Sequence, residues 1–320
     1  MILIGIGVVM SELNSSAAAW PEEVKVWISD VETGFPAVVS EAFVTASGTP
    51  YLKSPGVAVL SRPQVRVENL AGFLDGFSPD LRFPQYLDDT TPLPPGAAIC
   101  KAAGQLCYAS FGPKRTLNAD ADRYFENIKS SGHGSVLEHA NYTMLFYGIS
   151  RSVTHELVRH RAGVGVSQIS QRYVSGRVLR FVERPEYQSI PELHNAFEAR
   201  IDAAAADYNL IAEKLLLAQK SGSELLSADA RTDLRKKVQQ AARSVLPNET
   251  EAPIVVTANA RAWRHIIEMR ANPHAEVEIR ALAFRAYLCL VQLDPIIFGD
   301  YAVSELSDGT YGVDTKFPKV

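Results

Sequence analysis

Between residues 51 and 98 the apolar positions come in short runs broken by Pro and Gly. GVAVLSRPQVRVENL reads as extended segments and TPLPPG as a loop opening the next element. Beyond Gly96 the spacing turns helical, first in AAICKAAGQLCYASF and then in ADRYFENIKS. A Ser-Gly-His-Gly break comes next, and SVLEHANYTMLFYGI reads as a strand in its second half. Ser150 and Ser152 offer N-caps for a helix through THELVRHR. Farther on, Phe197, Ile201, Ala204, Tyr208, Ile211 and Leu215 recur at alternating spacings of four and three, which predicts a long amphipathic helix with its stripe in the core. A second helix, from about Asp229 to Ser244, is stopped by Leu246-Pro247, and a strand-like IVVTA leads into a third over NARAWRHIIEMR. At Asn272-Pro273 the chain restarts, with Asn as N-cap and Pro at the first helical position, and this predicts a helix over HAEVEIRALAFRAYLCLV. Helices outweigh strands and do not alternate with them in βαβ order, so the expected class is α+β, with helices packed on a mixed or antiparallel sheet.

Residues 1–50 read differently. They are rich in Ala, Ser and Gly, and patches such as VKVWISDV and AFVTA suggest isolated strands without a coherent unit. The expected organisation is an N-terminal extension over 1–50, without fixed order, and one domain over 51–320. The apolar start MILIGIGVVM has no preceding basic region and covers ten residues, so the expectation is a short strand or leader and no secretory signal or membrane span.

Composition narrows the function more than the fold. With 47% hydrophobic and 21% charged residues, collagen-like and disordered classes are excluded. Lys plus Arg is 32 against 36 for Asp plus Glu, a net charge of -4, so no global basic field captures nucleic acid and any phosphate must be held locally. Cys100, Cys107 and Cys289 form no Cys-x-x-Cys pair and leave an odd count, which fits a reducing cytoplasm and neither a disulfide framework nor a thiolate zinc site. None sits beside a His that would activate it as a nucleophile.

Three polar clusters carry candidate chemistry. The densest is Arg159-His160-Arg161 followed by AGVGVSQ and Ile169-Ser170-Gln171-Arg172-Tyr173. Arginine forks suit bidentate contact with phosphate or a polarised carbonyl, and Gly163 and Gly165 let backbone N–H groups approach an anion. A solvated basic helix end is the blander account of the same residues. His155-Glu156 with His160 resembles a zincin helix, but the two histidines are five apart and fall on different faces, so no metal is expected. The third cluster is Asn259-Ala260-Arg261, His265, Arg270 and His274; Arg261 and His265, four apart, share a helix face.

These residues resemble the flavin-dependent thymidylate synthases, the ThyX family. Its signature, Arg-His-Arg, seven residues, then Ser-x-Arg-Tyr, is reproduced by RHRAGVGVSQISQRYV with eight residues between Arg161 and Ser170, the extra one assigned to a bulge within AGVGV. The resemblance also covers SGHGSVLEH, Arg243 before VLP, and NAR with Arg270 and His274, and runs from about Tyr51 to the C terminus. It implies a thymidylate synthase-complementing-protein-like fold and reductive methylation of dUMP to dTMP, with methylenetetrahydrofolate as carbon donor, FAD as hydride carrier, NADPH as reductant and no enzyme nucleophile. It places Ser135, Arg159, His160, Arg161, Gln168, Asn259, Ala260, Arg261 and His265 at flavin-contacting positions. Glu156, Leu157, Val158, Arg159, Gln168, Ile169, Ser170, Gln171, Arg172, Arg243 and Arg270 fall at dUMP positions. Within that frame Arg270 is the catalytic residue, a fixed cation beside the pyrimidine that favours its enolate-like form. The resemblance further implies a homotetramer with sites shared between subunits, the Phe197 to Leu215 stripe helping to cover a contact. The alternative reading, an RNA-binding protein using the Arg159 to Arg172 strip, calls for a basic domain that the -4 balance does not supply.

Overall fold

The computed structural model describes residues 21–174, 178–220 and 228–320. Its centre is a six-stranded antiparallel sheet built from β1 (Ile28–Ser29), β2 (Ala37–Val38), β5 (Gly56–Ser61), β6 (Asn141–Tyr147), β7 (Val164–Gln168) and β9 (Ile254–Asn259), in the order β1-β2-β5-β6-β9-β7. The register shows why these strands pair. Val57 lies opposite Phe146, which lies opposite Ile254; Val59 pairs with Met144, and Met144 with Val256. All six side chains are buried, so period-two alternation on three strands lines up one continuous apolar face. Burying each of the larger ones contributes about 1.5–3 kcal/mol.

Two helices pack on that face, α6 (Ala260–Arg270) and α7 (Val277–Leu293), bringing Trp263, Ile267, Phe284 and Leu288 into the same core as the strands. α1 (Pro95–Cys107) and α2 (Ala121–Ser130) flank it, and α3 (Arg151–Leu157) comes after β6. Asp294 ties the end of α7 to α1, accepting from Ala97 N at 2.7 Å and from the Tyr142 hydroxyl at 3.3 Å. A smaller core joins α4 (Pro191–Lys220) to a three-stranded sheet of β3 (Ala42–Val44), β4 (Pro50–Leu52) and β8 (Phe181–Val182), in which β4 and β8 run parallel. α5 (Ala228–Ala242) returns along α4, and a hairpin of β10 (Tyr301–Glu305) and β11 (Tyr311–Thr315) closes the C-terminal end.

The α+β class and the antiparallel sheet are as expected. The division at residue 50 marks no break in packing, because β1 and β2 form one edge of the main sheet and Val24 and Val38 sit in its core. Tertiary contact supplies what the local pattern of VKVWISDV lacked; residues 1–20, with MILIGIGVVM, lie outside the described residues. The core stripe of α4 holds at Phe197, Ile201, Ala204 and Tyr208, all buried, and fades to half-buried Ile211 and Leu215. The restart at Asn272-Pro273 is corrected. Asn272 Oδ1 accepts from His274 N in a local turn, while α7 begins at Val277 with Glu276 as its N-cap, accepting from Glu278 N and Ile279 N.

Candidate active site

The site grows from the short helix α3, which is pinned at its start to the core. Glu278, inside α7, accepts from Ser150 N at 2.7 Å and from the Ser150 hydroxyl at 2.8 Å, while Ser150 Oγ caps Val153 N. Burial raises the Glu278 carboxyl above its usual range, against the pull of those Ser150 donors. Leu157 and Val153 face the core, which leaves Glu156 on the open side. The helix does not run through THELVRHR. It ends at Leu157 in tightened turns, with Arg159 N bonded to Glu156 O and His160 N to Leu157 O, and Arg159-His160-Arg161 therefore fan out from a turn instead of stacking on one helix.

The slack expected within AGVGV falls on its first two residues and not on its last three. Val164 to Gln168 are a strand in unbroken register with β9, from Val164 opposite Ala258 to Gln168 opposite Ile254. The slack lies before it, in a turn closed by Val164 N to Arg161 O around Gly163. Gly163 has φ +70 and lies against the Asn259 carboxamide, where a Cβ would collide with Nδ2. Asn259 Oδ1 in turn caps α6 by accepting from Ala262 N at 2.8 Å, and its N–H donates to Gly163 O. The Arg-His-Arg turn is thereby clamped to the start of α6.

The other end of α6 brings Arg270 back to α3. Arg270 Nη1 donates to Glu156 Oε2 at 2.6 Å, and Arg270 Nε donates to His160 Nε2 at 3.0 Å. His265 stands edge-on to His160 with ring centroids 5.4 Å apart. Burial, helped by the Arg270 cation and by His265, pushes His160 down to about 4, so it is neutral near pH 7. Four residues from two distant sequence segments thus form one cluster. Gln168 joins its edge, donating from Nε2 to the Thr154 hydroxyl of α3 at 3.2 Å.

The remaining candidates form separate groups. Arg261 pairs with Glu138 at 2.6 Å, and Gly134 backs onto Arg261 Nε, which brings the Ser-Gly-His-Gly segment with exposed Ser135 beside the start of α6. Arg172 Nε and Nη2 lie 2.9 Å from the Gln240 side-chain oxygen on α5, with the amide turned to accept, and its backbone N–H donates to Ser170 Oγ. Arg243 lies just beyond the end of α5. Neither Arg172 nor Arg243 hydrogen-bonds to or pairs with Arg270, Glu156 or His160. The Arg161 and Arg243 side chains have no hydrogen-bond or ion-pair partner among the described residues. Ile169 and Gln171 line a cavity of ≈ 380 Å³ with Tyr208, Arg180 and Glu251, apart from Arg270. Leu157 and Ala260 are buried, and Ala260 N is taken up by Ala140 O, so both act through the backbone they hold in place.

Sequence reasoning missed the supporting residues Glu278, Thr154 and Gln240, whereas Glu138 lies within the matched SGHGSVLEH. Only Glu278 left a signal, an acidic residue at an otherwise apolar position of the last long helix.

The fold is shared with a nucleotide methylase. The crystal structure of a UMP/dUMP methylase PolB from Streptomyces cacaoi bound with 5-Br dUMP matches with a TM-score of 0.51 at 18% identity, over 77% of this chain and 94% of that one. Sequence relatives are nearer. Proteins named flavin-dependent thymidylate synthase from Mycolicibacterium gilvum and Mycobacteroides abscessus are 42% and 43% identical, covering 71% and 72% of this chain and 88% and 90% of their own lengths. The Thy1 family model, described as thymidylate synthase complementing protein, matches residues 88–296, and the chain belongs to that family.

Proposed function

We propose that the protein is a flavin-dependent thymidylate synthase, converting dUMP to dTMP with methylenetetrahydrofolate as carbon donor and NADPH as reductant through FAD. The observation that carries this reading is the convergence of Glu156, His160, His265 and Arg270 where the Arg-His-Arg turn meets α6. The relatives' names and the family match support the same activity.

The residues present fit a flavin dinucleotide by the chemistry of their donors. Exposed Arg159 and Arg161 offer guanidinium forks for a pyrophosphate, Arg159 using only Nε, toward His155 O, and Arg161 using none. His160, His265, Asn259, Arg261, Gln168 and Ser135 supply ring-facing and ribose-facing polar groups. When bound, FAD supplies the hydride that completes the methyl group.

The chain's own residues bind and polarise. Arg270 keeps its charge at any working pH, and a cation beside the uracil N3 and carbonyl oxygens stabilises the ring most as it becomes anionic, when C5 is most electron-rich. Arg159, Arg172, Arg243 and the Ser170 hydroxyl hold the 5'-phosphate. The family resemblance supplies the remaining part of the reading, a homotetramer in which the grip on the nucleotide is shared between subunits. Cys100 and Cys289 are unsuited as nucleophiles, because burial pushes both thiols up to about 12. No helix among the described residues is long and apolar enough to cross a membrane, which is compatible with a cytoplasmic site of action.

The test is the absorption spectrum of the purified full chain, its bleaching by NADPH, and dTMP formation from dUMP and methylenetetrahydrofolate. Flavin bands that bleach and a product that requires all three substrates support the reading. A flavin-free protein that retains zinc or RNA overturns it.

A further inference from the structure

Arg270 is held by two neighbours of opposite character, the Glu156 carboxylate at Nη1 and the His160 ring at Nε. A guanidinium has donors only and does not deprotonate in proteins, so the lone pair in the second contact belongs to His160 Nε2. A neutral imidazole that accepts at Nε2 must carry its proton on Nδ1. The other group facing the ring is His265, edge-on, and Glu156 reaches Arg270 instead of His160.

We propose that Glu156 is a positioning residue: by anchoring Nη1 it turns the Arg270 fork so that Nε–H caps His160 Nε2 and locks His160 as an Nδ1–H hydrogen-bond donor. Arg270 is the last residue of α6, where a long side chain has freedom to swing, and α3 carries the only carboxylate that it meets among the described residues. Without that anchor Nε2 loses its cap, and His160 returns to the Nε2–H form that free imidazole side chains favour. The two forms differ in function. With Nδ1–H, His160 offers a donor to an acceptor atom of a bound ligand; with Nε2–H, it turns that same position into an acceptor. The assignment of the acceptor to the isoalloxazine ring rests on the proposed function, whereas the tautomer belongs to the ligand-free chain.

The experiment is long-range ¹H–¹⁵N NMR of the ligand-free full chain, labelled with ¹⁵N at histidine, near neutral pH, with His160 assigned by its absence in His160→Gln. The expected result is Nδ1–H in the wild type, retained in Glu156→Gln, whose amide oxygen still accepts from Arg270, and mostly Nε2–H in Glu156→Ala. Rescue by the conservative variant separates positioning from bulk. Glu156 is 41% exposed, so the substitutions leave the fold intact, which thermal melting checks. Nε2–H in the wild type, or undiminished Nδ1–H in a folded Glu156→Ala, overturns the proposal. Flavin titration of the same proteins then reads a weakening of about 10-fold in Glu156→Ala, the size one hydrogen bond sets. The expected tautomers in a chain that binds no flavin refute the proposed function and leave this inference standing.

Discussion

Two of the three arginines on helix α6 have opposite surroundings. Arg264 is 1% exposed and donates to Asp300 at 2.6 and 2.9 Å, to Ile297 O at 2.7 Å, and to Val320 O and Phe317 O. Lys129 adds a second cation to Asp300 at 2.8 Å. Burial alone would raise that carboxyl, yet Arg264 and Lys129 hold it down to about 2. Arg270, at the open end of the same helix, uses Nε and Nη1 and leaves donors over at Nη2. The difference separates a saturated guanidinium from one with donors to spare. A structural guanidinium is saturated by the chain that folds round it, whereas a functional one is oriented by part of its fork and keeps the rest for a ligand.

The sharpest way to break that contrast is to exchange the consequences. Arg264→Ala leaves buried Asp300 with Lys129 alone and takes the donor from the Ile297, Phe317 and Val320 carbonyls, and is expected to lower stability by about 3–5 kcal/mol, read as a fall in the denaturation midpoint. Arg270→Lys keeps the charge but not the fork; flavin stays bound while dTMP formation falls by about 10²–10³-fold, with stability changed by less than about 1 kcal/mol. Near-normal turnover in that variant removes Arg270 from its role. Gly163→Ala forces a side chain into a left-handed residue and into Asn259, loosening the clamp between the Arg-His-Arg turn and α6; a loss of about 1–3 kcal/mol is expected in chemical unfolding.

A pH dependence tests the same cluster. His160 titrates near 4 when folded and near 6.5 when unfolded, so as pH falls through that window the unfolded chain takes up a proton that the folded one refuses, and stability drops. Asp294, raised by burial to about 7, acts in the opposite direction over much of the same range, gaining relative stability as pH falls toward its unfolded value. The measurement is therefore a difference: His160→Gln should become more stable relative to wild type between about pH 6.5 and 4, with Asp294 cancelling. A flat difference would show that His160 is as free to protonate in the fold as outside it. Loss of the Asp300 contribution comes at lower pH, below the unfolded Asp value, and separates the two arginine regions in the same titration.

Much of this architecture was legible in the chain. The α4 stripe, the strands over 141–147 and 254–259, and the cap at Ser150 all arise from local period and local hydrogen bonding. The errors have two causes, the pull of distant partners and competition between neighbouring caps. β1 and β2 are two residues each, too short for a period to show, and exist because β5 offers them an edge. The helix over THELVRHR ends at Leu157 in tightened turns, with Val158 the last apolar residue packed on the core before Arg159-His160-Arg161. The start of α7 moved from Pro273 to Val277 because Glu276 caps two N–H groups where Asn272 closes only a local turn.

The candidate residues themselves were named by sequence, since motif order and residue type are one-dimensional facts. Their partners were not. That Glu156 meets Arg270 across 114 positions, and that Arg264 but not Arg270 is consumed by the core, depends on which face of α6 meets the sheet and where α3 is pinned by Glu278. Side-chain chemistry is carried by the letters of the chain; the protonation state, tautomer and free donors of those side chains are set by neighbours that only folding assembles, because burial and charge act through space over a few ångströms and take no account of distance along the backbone.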